Sequence, residues 1–271
     1  MVGKLHIVST PIGNLEDITL RAVRILREAG LIACEDTRHT RKLLDHLGIS
    51  KPLVSYHEHN EAPRAAELVE KLLAGVDIAL VSDAGTPLLS DPGYRLVEAA
   101  IAAGIQTVPI PGPSALLSAL AGSGLPTDSF RFCGFLPAKT GQRRKTLEAY
   151  QQESTTLVFY EAPHRILEAL EDIQEVLGER DVVVARELTK LHEEFLRGSA
   201  ATIGAQLGSR PAVKGEITVL IGAPKSVPNP VGAEEEVRAL EQQGMPRMDA
   251  IKQVAKSRGI PKRELYRKVI S

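Results

Sequence analysis

The strongest constraint on this chain is an alternation. Short β-branched and aliphatic runs are separated by longer stretches with helical spacing, and that order persists through most of the sequence. Strand, helix and strand in succession are the signature of a sheet with crossover helices on its faces. Leu5-His-Ile-Val-Ser, Leu31-Ile-Ala-Cys, Asp77-Ile-Ala-Leu-Val-Ser and Gln106-Thr-Val-Pro read as the first four strands. Asp17 caps the first helix, which carries Ile18, Ala22, Ile25, Leu26 and Ala29 on one face and closes at Gly30. Glu61 to Leu73 is a second helix, and Asp91-Pro92 begins a third that Gly104 stops.

Gly122-Ser-Gly-Leu-Pro-Thr has no periodicity and reads as a hinge, after which a second α/β unit begins. Its strands are Phe130-Arg-Phe-Cys-Gly-Phe, Thr155-Thr-Leu-Val-Phe-Tyr, Asp181-Val-Val-Val-Ala-Arg and Glu216-Ile-Thr-Val-Leu-Ile-Gly, with a helix from Pro163 to Leu177. Ala223 to Gly232 is a linker by composition. Three short helical patterns follow, at about Ala233–Gln243, Pro246–Ser257 and Pro261–Ile270, the last two in helix-turn-helix spacing across Arg258-Gly-Ile. The expected organisation is an N-terminal α/β domain over 1–121, a second α/β domain over 122–224 and a helical tail over 231–271. Forty residues bury too little core to be stable without leaning on the body or a partner.

Charge divides along the same line. The chain has 33 basic and 34 acidic residues in 271, yet Lys225 to Ser271 alone holds ten basic and six acidic ones, leaving 23 and 28 in the first 224. An acidic body carries a basic tail. From Ala99 to Thr127 no residue is charged, but four prolines and four glycines interrupt that stretch, which excludes a lipid-spanning helix. Cys34 and Cys133 are the only cysteines, without metal-site spacing, and Cys34 closes an apolar strand as a small core residue would. With no signal-peptide pattern at Met1, the expectation is a cytoplasmic protein without metal or membrane anchor.

Ligands of open α/β sheets bind beyond the carboxyl ends of strands. The loops there share a character: Thr10-Pro-Ile-Gly-Asn, Glu35-Asp-Thr-Arg, Ser82-Asp-Ala-Gly-Thr-Pro, Pro111-Gly-Pro-Ser, Glu161-Ala-Pro-His-Arg and Arg186-Glu-Leu-Thr-Lys. Glycine or proline beside polar side chains lets a backbone approach a ligand closely. Any one such loop is an ordinary turn, but six together point to a site. P-loop and dinucleotide glycine patterns are missing, as is a nucleophile elbow. His57 and His59 supply only two of the ligands a metal needs.

Four longer motifs carry a resemblance. Ser9-Thr-Pro-Ile-Gly-Asn-Leu-Glu-Asp-Ile-Thr, Cys34-Glu-Asp-Thr-Arg-His-Thr, Val81-Ser-Asp-Ala-Gly-Thr-Pro-Leu-Leu-Ser-Asp-Pro-Gly and Phe159-Tyr-Glu-Ala-Pro-His-Arg resemble the tetrapyrrole methylase superfamily of S-adenosylmethionine enzymes. Within it they are most similar to the bacterial branch that methylates a cytidine 2′-hydroxyl in the decoding region of small-subunit ribosomal RNA. The resemblance runs from Leu5 to about Gly222, and the basic tail is similar to that branch's extension. Where the superfamily usually has Gly-Gly-Asp-Pro, this chain has Ala84-Gly-Thr-Pro, which matches the RNA branch. The resemblance implies S-adenosylmethionine folded between two unequal α/β domains, and a homodimer. Pro11 would approach the cofactor; Ser82, Asp83, Ala84, Gly85, Thr86 and Leu89 would line its methionine and ribose side. Ser114 and Ala115 would meet the methionine, while Tyr160, Glu161, Leu188 and Glu216 would come from the second domain.

Methyl transfer to a hydroxyl is an in-line displacement that needs alignment, exclusion of water and a proton acceptor. The cleft candidates are Asp36, Glu187 and Lys190, with Glu35 and Asp83 behind them. Arg38, His39 and Arg41 have the charge to hold phosphates near the acceptor, and Arg247, Lys252, Lys256, Lys262 and Arg263 give the tail a polyanion-binding surface. Small-subunit RNA is the expected partner. Two alternatives stay open: a tetrapyrrole or other small-molecule methyltransferase, which leaves the tail unexplained, and a non-catalytic nucleic-acid-binding module, which leaves the strand-end loops idle.

Overall fold

In the first sheet the central strand is covered on both faces, and the alternation of its side chains shows how. β1 (Leu5–Val8), β2 (Leu31–Cys34), β3 (Leu53–Ser55), β4 (Ile78–Val81) and β5 (Thr107–Ile110) pair in the order β3-β2-β4-β1-β5, all parallel. Ala79 and Val81 of β4 pack with Ile25, Leu26 and Leu44, from α1 (Leu20–Glu28) and α2 (Thr37–His46). Ile78 and Leu80 face the other way, onto Leu68, Leu72 and Leu96 of α3 (Glu61–Leu73) and α4 (Tyr94–Ala102). Burial on both faces is why β4 is a continuous apolar run. The computed structural model describes residues 1–224, 233–258 and 261–270.

The second sheet is mixed, in the order β6-β7-β10-β8-β9. β6 (Phe130–Phe135) lies parallel to β7 (Thr156–Glu161); β10 (Ile217–Ile221) runs antiparallel to β7 and to β8 (Val182–Arg186), and β8 antiparallel to β9 (Glu194–Gly198). One face, with Leu157, Phe159, Val182, Val184, Val219 and Ile221, packs on α6 (Thr140–Glu148), α7 (Ile166–Leu177) and α8 (Ala200–Gly208). The opposite face, with Val158, Val183, Ala185 and Leu220, packs on Ile12 and on Leu116, Ala119 and Leu120 of α5 (Ala115–Ser123). α5 is the joint between the halves. Arg197 of β9 fastens its carboxyl end by donating from Nε to the Ser123 carbonyl at 3.0 Å and from Nη2 to that of Gly122.

Residues 1–223 form one compact unit and 224–271 another. The second holds α9 (Ala233–Gln242), α10 (Arg247–Ser257) and α11 (Lys262–Ile270), around Val237, Ala250, Ile251, Val254, Ala255 and Leu265. The expected linker from residue 225 and the turn at 259–260 lie outside the described residues. Among the described residues no helix is long and apolar enough to cross a membrane, and no group of three or more His, Cys, Asp or Glu side chains is placed to hold a metal ion.

Two expected caps are elsewhere. Asp17 ends a single 3-10 turn, and Thr19 caps α1 by accepting from the Ala22 N–H at 3.1 Å. Asp91 does not cap α4. That helix starts two residues later, because the Gly93 N–H is satisfied across the fold by Glu61 of α3, at 2.9 Å. Similarly, α7 begins at Ile166 rather than at Pro163.

The second half also holds a buried ion cluster. Arg143 of α6 and Asp172 of α7 are 1% and 3% exposed and meet at 2.6 Å, and Arg144 takes the other Asp172 oxygen at 2.6 Å. Removing one member of a buried pair leaves an uncompensated charge, which costs about 3–5 kcal/mol. Asp172→Ala is therefore expected to lower stability by about that amount in urea unfolding, with an unchanged m value. A loss below about 1 kcal/mol, the range of an exposed pair, would show that water solvates Arg143.

Candidate active site

The carboxyl ends of β1, β4 and β5 are tied into one floor. After β1 and β4 the loops form a reciprocal pair, the Thr10 and Gly85 N–H groups each donating to the other's carbonyl at 2.9 Å. The Thr10 hydroxyl donates to the Ser82 carbonyl at 3.1 Å, and that of Thr86 lies 2.9 Å from the Ser9 hydroxyl and donates to the Pro113 carbonyl at 3.2 Å. Gly85, at φ +79°, supplies the left-handed backbone this clamp requires. Ser114 then caps α5, accepting from the Leu117 N–H.

Across from this floor stands the second sheet. Tyr160, Thr218 and Ala185 are register partners on β7, β10 and β8, so they share one face of the sheet. With Leu188, Gly215 and Ile12 they help enclose a cavity of about 380 Å3, a size that suits a small ligand. Three of its lining residues, Asp91, Glu161 and Glu216, are acidic and none is Lys or Arg. One Glu161 oxygen accepts from the Ala162 N–H at 2.7 Å and from Arg165; the other is buried, with no partner among the described residues. A buried acceptor left open at a cavity wall fits a ligand that brings an N–H or O–H donor.

Both flanking loops are strained. Leu88 and Ser90, after β4, and Glu187 and Thr189, after β8, have φ between +52° and +76° without being glycine. Such backbone persists only where its surroundings impose it, and it clusters at ligand clamps. In the β8 loop, Lys190 donates to Glu187 at 2.8 Å and to Glu216 at 3.1 Å. Lys190 holds the Glu187 carboxyl below its ordinary range. Burial alone would lower the Lys190 pKa, but its two carboxylates outweigh burial and raise it. Its stem runs against Gly13, where a Cβ would come within 2.3 Å of it.

Ten of the thirteen expected cofactor residues line the cavity. The other three, Pro11, Ser82 and Asp83, are not among its lining residues. Pro11 follows the clamped Thr10, the Ser82 hydroxyl donates to the Ala84 carbonyl at 3.2 Å, and the Asp83 carboxylate accepts from the Asp36 N–H at 3.1 Å. Glu187 and Lys190 form the cluster beside Glu216. Asp36 lies outside the lining and caps α2, accepting from the Arg38 N–H at 2.8 Å and the Arg38 guanidinium at 2.7 Å. Arg38 holds that carboxyl well below the usual range, which makes it a weak base. His39 and Arg41 are exposed on α2.

Asp91 and Phe135 also line the cavity, and sequence reasoning gave neither a role there. Asp91 is legible only as a helix cap until Gly93 proves to be held by Glu61. Burial, and then the charge of Glu35, push its carboxyl up to about 6. Burial and then Asp83 raise Glu35 as well.

Residues 4–204 match the family described as Tetrapyrrole (Corrin/Porphyrin) Methylases. The protein named Ribosomal RNA small subunit methyltransferase I of Halalkalibacterium halodurans is 48% identical over 97% of this chain and 93% of its own length. That of Synechocystis sp. is 49% identical over 98% and 96%. Among solved structures, diphthine synthase superposes with a TM-score of 0.61 at 15% identity, over 81% of this chain and 90% of its own. A Thermus thermophilus uroporphyrin-III C-methyltransferase complexed with S-adenosyl homocysteine gives 0.55 at 18%, over 80% and 97%. The chain belongs to the tetrapyrrole (corrin/porphyrin) methylase family, in the group whose curated relatives are named ribosomal RNA small subunit methyltransferase I.

Proposed function

We propose that this chain transfers the methyl group of S-adenosylmethionine to the 2′-hydroxyl of a cytidine in small-subunit ribosomal RNA. The names of its relatives support an RNA substrate over a tetrapyrrole. The observation that carries the cofactor in this reading is a cavity lined by Asp91 and by no Lys or Arg, Glu161 and Glu216 being paired with Arg165 and Lys190 from outside the lining. A sulfonium and an ammonium are both positive and meet no cation on that wall. Gly85 offers close backbone, Ser114 and Ala115 open α5, and Glu161 presents its free acceptor.

The chemistry supplied by bound S-adenosylmethionine is a methyl group on cationic sulfur, given up to an attacking oxygen as the carbon–sulfur bond breaks. The chain's task is to align that oxygen and take its proton. Asp91, at the cavity with a pKa near the working range, is the group we assign as acceptor. Glu187 and Glu216 hold Lys190 over the β8 loop, and Asp36 orders α2 so that Arg38, His39 and Arg41 meet phosphate. In the tail, Lys252 and Lys256 lie one turn apart on α10 and are exposed. Lys262 and Arg263 occupy the first turn of α11, where the helix dipole disfavours cations, so their charge suits a phosphate better than the helix itself. Arg247, the remaining tail residue expected to meet RNA, is ion-paired with Glu241. We further propose that 1–121 and 122–224 act as separate domains, the tail from 231 as a substrate-binding module, and the whole as a cytoplasmic homodimer.

Mass mapping of small-subunit RNA after incubation with the protein and S-adenosylmethionine is expected to locate one ribose methyl on a cytidine; a methyl on a base would contradict the reaction assigned. Because the acceptor must be ionised, the rate is expected to fall about tenfold per pH unit below about 6 and to level off above it. Asp91→Asn is expected to abolish that limb and lower kcat by about 100-fold or more. A limb that survives in Asp91→Asn assigns the proton to another group.

The tail generates a separate expectation. Lys252→Glu, Lys256→Glu and Lys262→Glu combined should weaken subunit binding and make log affinity against log salt shallower by about 2–3, leaving S-adenosylmethionine affinity unchanged. An unchanged salt slope would contradict phosphate contact by these residues.

A further inference from the structure

β6 and β7 begin in simple register, Phe130 opposite Thr156, Arg131 opposite Leu157 and Phe132 opposite Val158. Continued unbroken, that register would set residue 134 opposite Tyr160. Instead Phe135 stands there, because β6 carries one extra residue. Gly134, in the left-handed region at φ +68°, absorbs it. One inserted residue changes the face a side chain occupies. Phe135 would otherwise point to the α6–α8 side with Cys133; the bulge turns it to the side of Phe132 and Tyr160.

The result is an aromatic left at the cavity mouth. Phe135 lines the cavity and is 55% exposed. Behind it, the Tyr160 ring packs edge-on to Phe135 at 5.6 Å and to Phe132 at 5.0 Å. Phe135 is thus a braced ring with open surface, in a chain with five Phe, five Tyr and no Trp. A Cβ on Gly134 would lie 3.7 Å from the Ser90 hydroxyl, so the loop that carries Asp91 comes up against this bulge. Four residues beyond Phe135 the exposed Lys139 precedes α6, whose first turn has no acidic residue. A phosphate next to a stacked nucleotide would meet positive potential there.

We propose that Phe135 is the stacking platform for the base of the nucleotide whose ribose hydroxyl faces Asp91. The assignment rests on the RNA-methylating reading above and adds the subsite that grips the target nucleotide. Sequence-specific RNA recognition commonly splays a base out and stacks it on an aromatic ring. Apolar surface that a strand could have buried is spent here at the mouth of the site, and a bulge is the device that re-aims a side chain there.

The test compares Phe135→Ala, Phe135→Leu and Phe135→Tyr in the full-length protein. It reads KM and kcat with small ribosomal subunits, S-adenosylmethionine affinity by calorimetry, and mass by sedimentation. Stacking predicts a KM for subunits raised about tenfold or more in the Ala and Leu variants, near-normal KM in the Tyr variant, and unaltered cofactor affinity. Leu performing as well as Phe would overturn the proposal by showing that bulk alone suffices. Cofactor affinity falling in step with KM would move Phe135 to the cofactor, and a shift in sedimenting mass would make it a contact between copies; either overturns it. Wild type that binds S-adenosylmethionine but methylates no ribosomal RNA would instead overturn the functional reading on which the proposal stands.

Discussion

The reciprocal backbone pair between Thr10 and Gly85 is the constraint on which the site depends. Parallel strands deliver their carboxyl ends side by side, but each loop is otherwise free to wander. Two 2.9 Å hydrogen bonds join the β1 loop to the β4 loop, and Thr86 extends the tie to Pro113, after β5. Ile12, two residues past Thr10, is thereby delivered to the second sheet, where it packs with Leu116, Leu188 and Leu220. The same clamp that forms the cavity floor positions part of the contact between the two halves. A side chain at residue 85 would strain the backbone at the centre of this arrangement.

The opposite wall is made by departures from regularity. Neither the bulge at Gly134 nor the left-handed residues of the β4 and β8 loops improves the sheets; each redirects side chains toward one volume. Glu187 illustrates the coupling. It sits at φ +52°, accepts from the Glu216 N–H at 3.0 Å and from Lys190, and lies so close to Gly215 that a Cβ there would come within 2.4 Å. Gly13 stands in the same relation to Lys190. Two glycines on distant segments therefore make room for one ion cluster at the cavity edge.

Much of this was legible in the sequence for reasons that can be named. β2 and α3 have the expected bounds because Gly30 and an unbroken helical period delimit them. The six polar loops were recognisable because four contain glycine or proline beside polar side chains and the other two, Glu35-Asp-Thr-Arg and Arg186-Glu-Leu-Thr-Lys, are charged where a strand ends. What stayed hidden depends on distant partners. Thr140-Gly-Gln-Arg-Arg-Lys shows no apolar stripe that would mark α6; its buried positions are Leu147 and Arg143, the latter acceptable because Asp172 waits on α7. α2 was hidden by the charged run Glu35-Asp-Thr-Arg-His-Thr, whose Asp36 proves to be its cap. The edge strands β3 and β9 are respectively too short and too polar to show a clear alternation. Asp91 was assigned to a helix that Glu61 holds instead, and no local pattern betrays Leu88, Ser90, Glu187 or Thr189 as left-handed.

The central claim is that S-adenosylmethionine occupies the volume between the Thr10–Gly85 floor and the Tyr160–Thr218–Ala185 wall. Ala115 lines that volume at the first turn of α5, and leucine is nearly as good a helix former as alanine, so Ala115→Leu fills the cavity while leaving the helix intact. Calorimetric titration of S-adenosylmethionine into both proteins, with thermal unfolding as a control on the fold, tests the claim most directly. The account predicts binding by the wild type, and at least about tenfold weaker binding by a variant that unfolds at nearly the same temperature. Equal affinity in a folded Ala115→Leu protein would place the cofactor elsewhere.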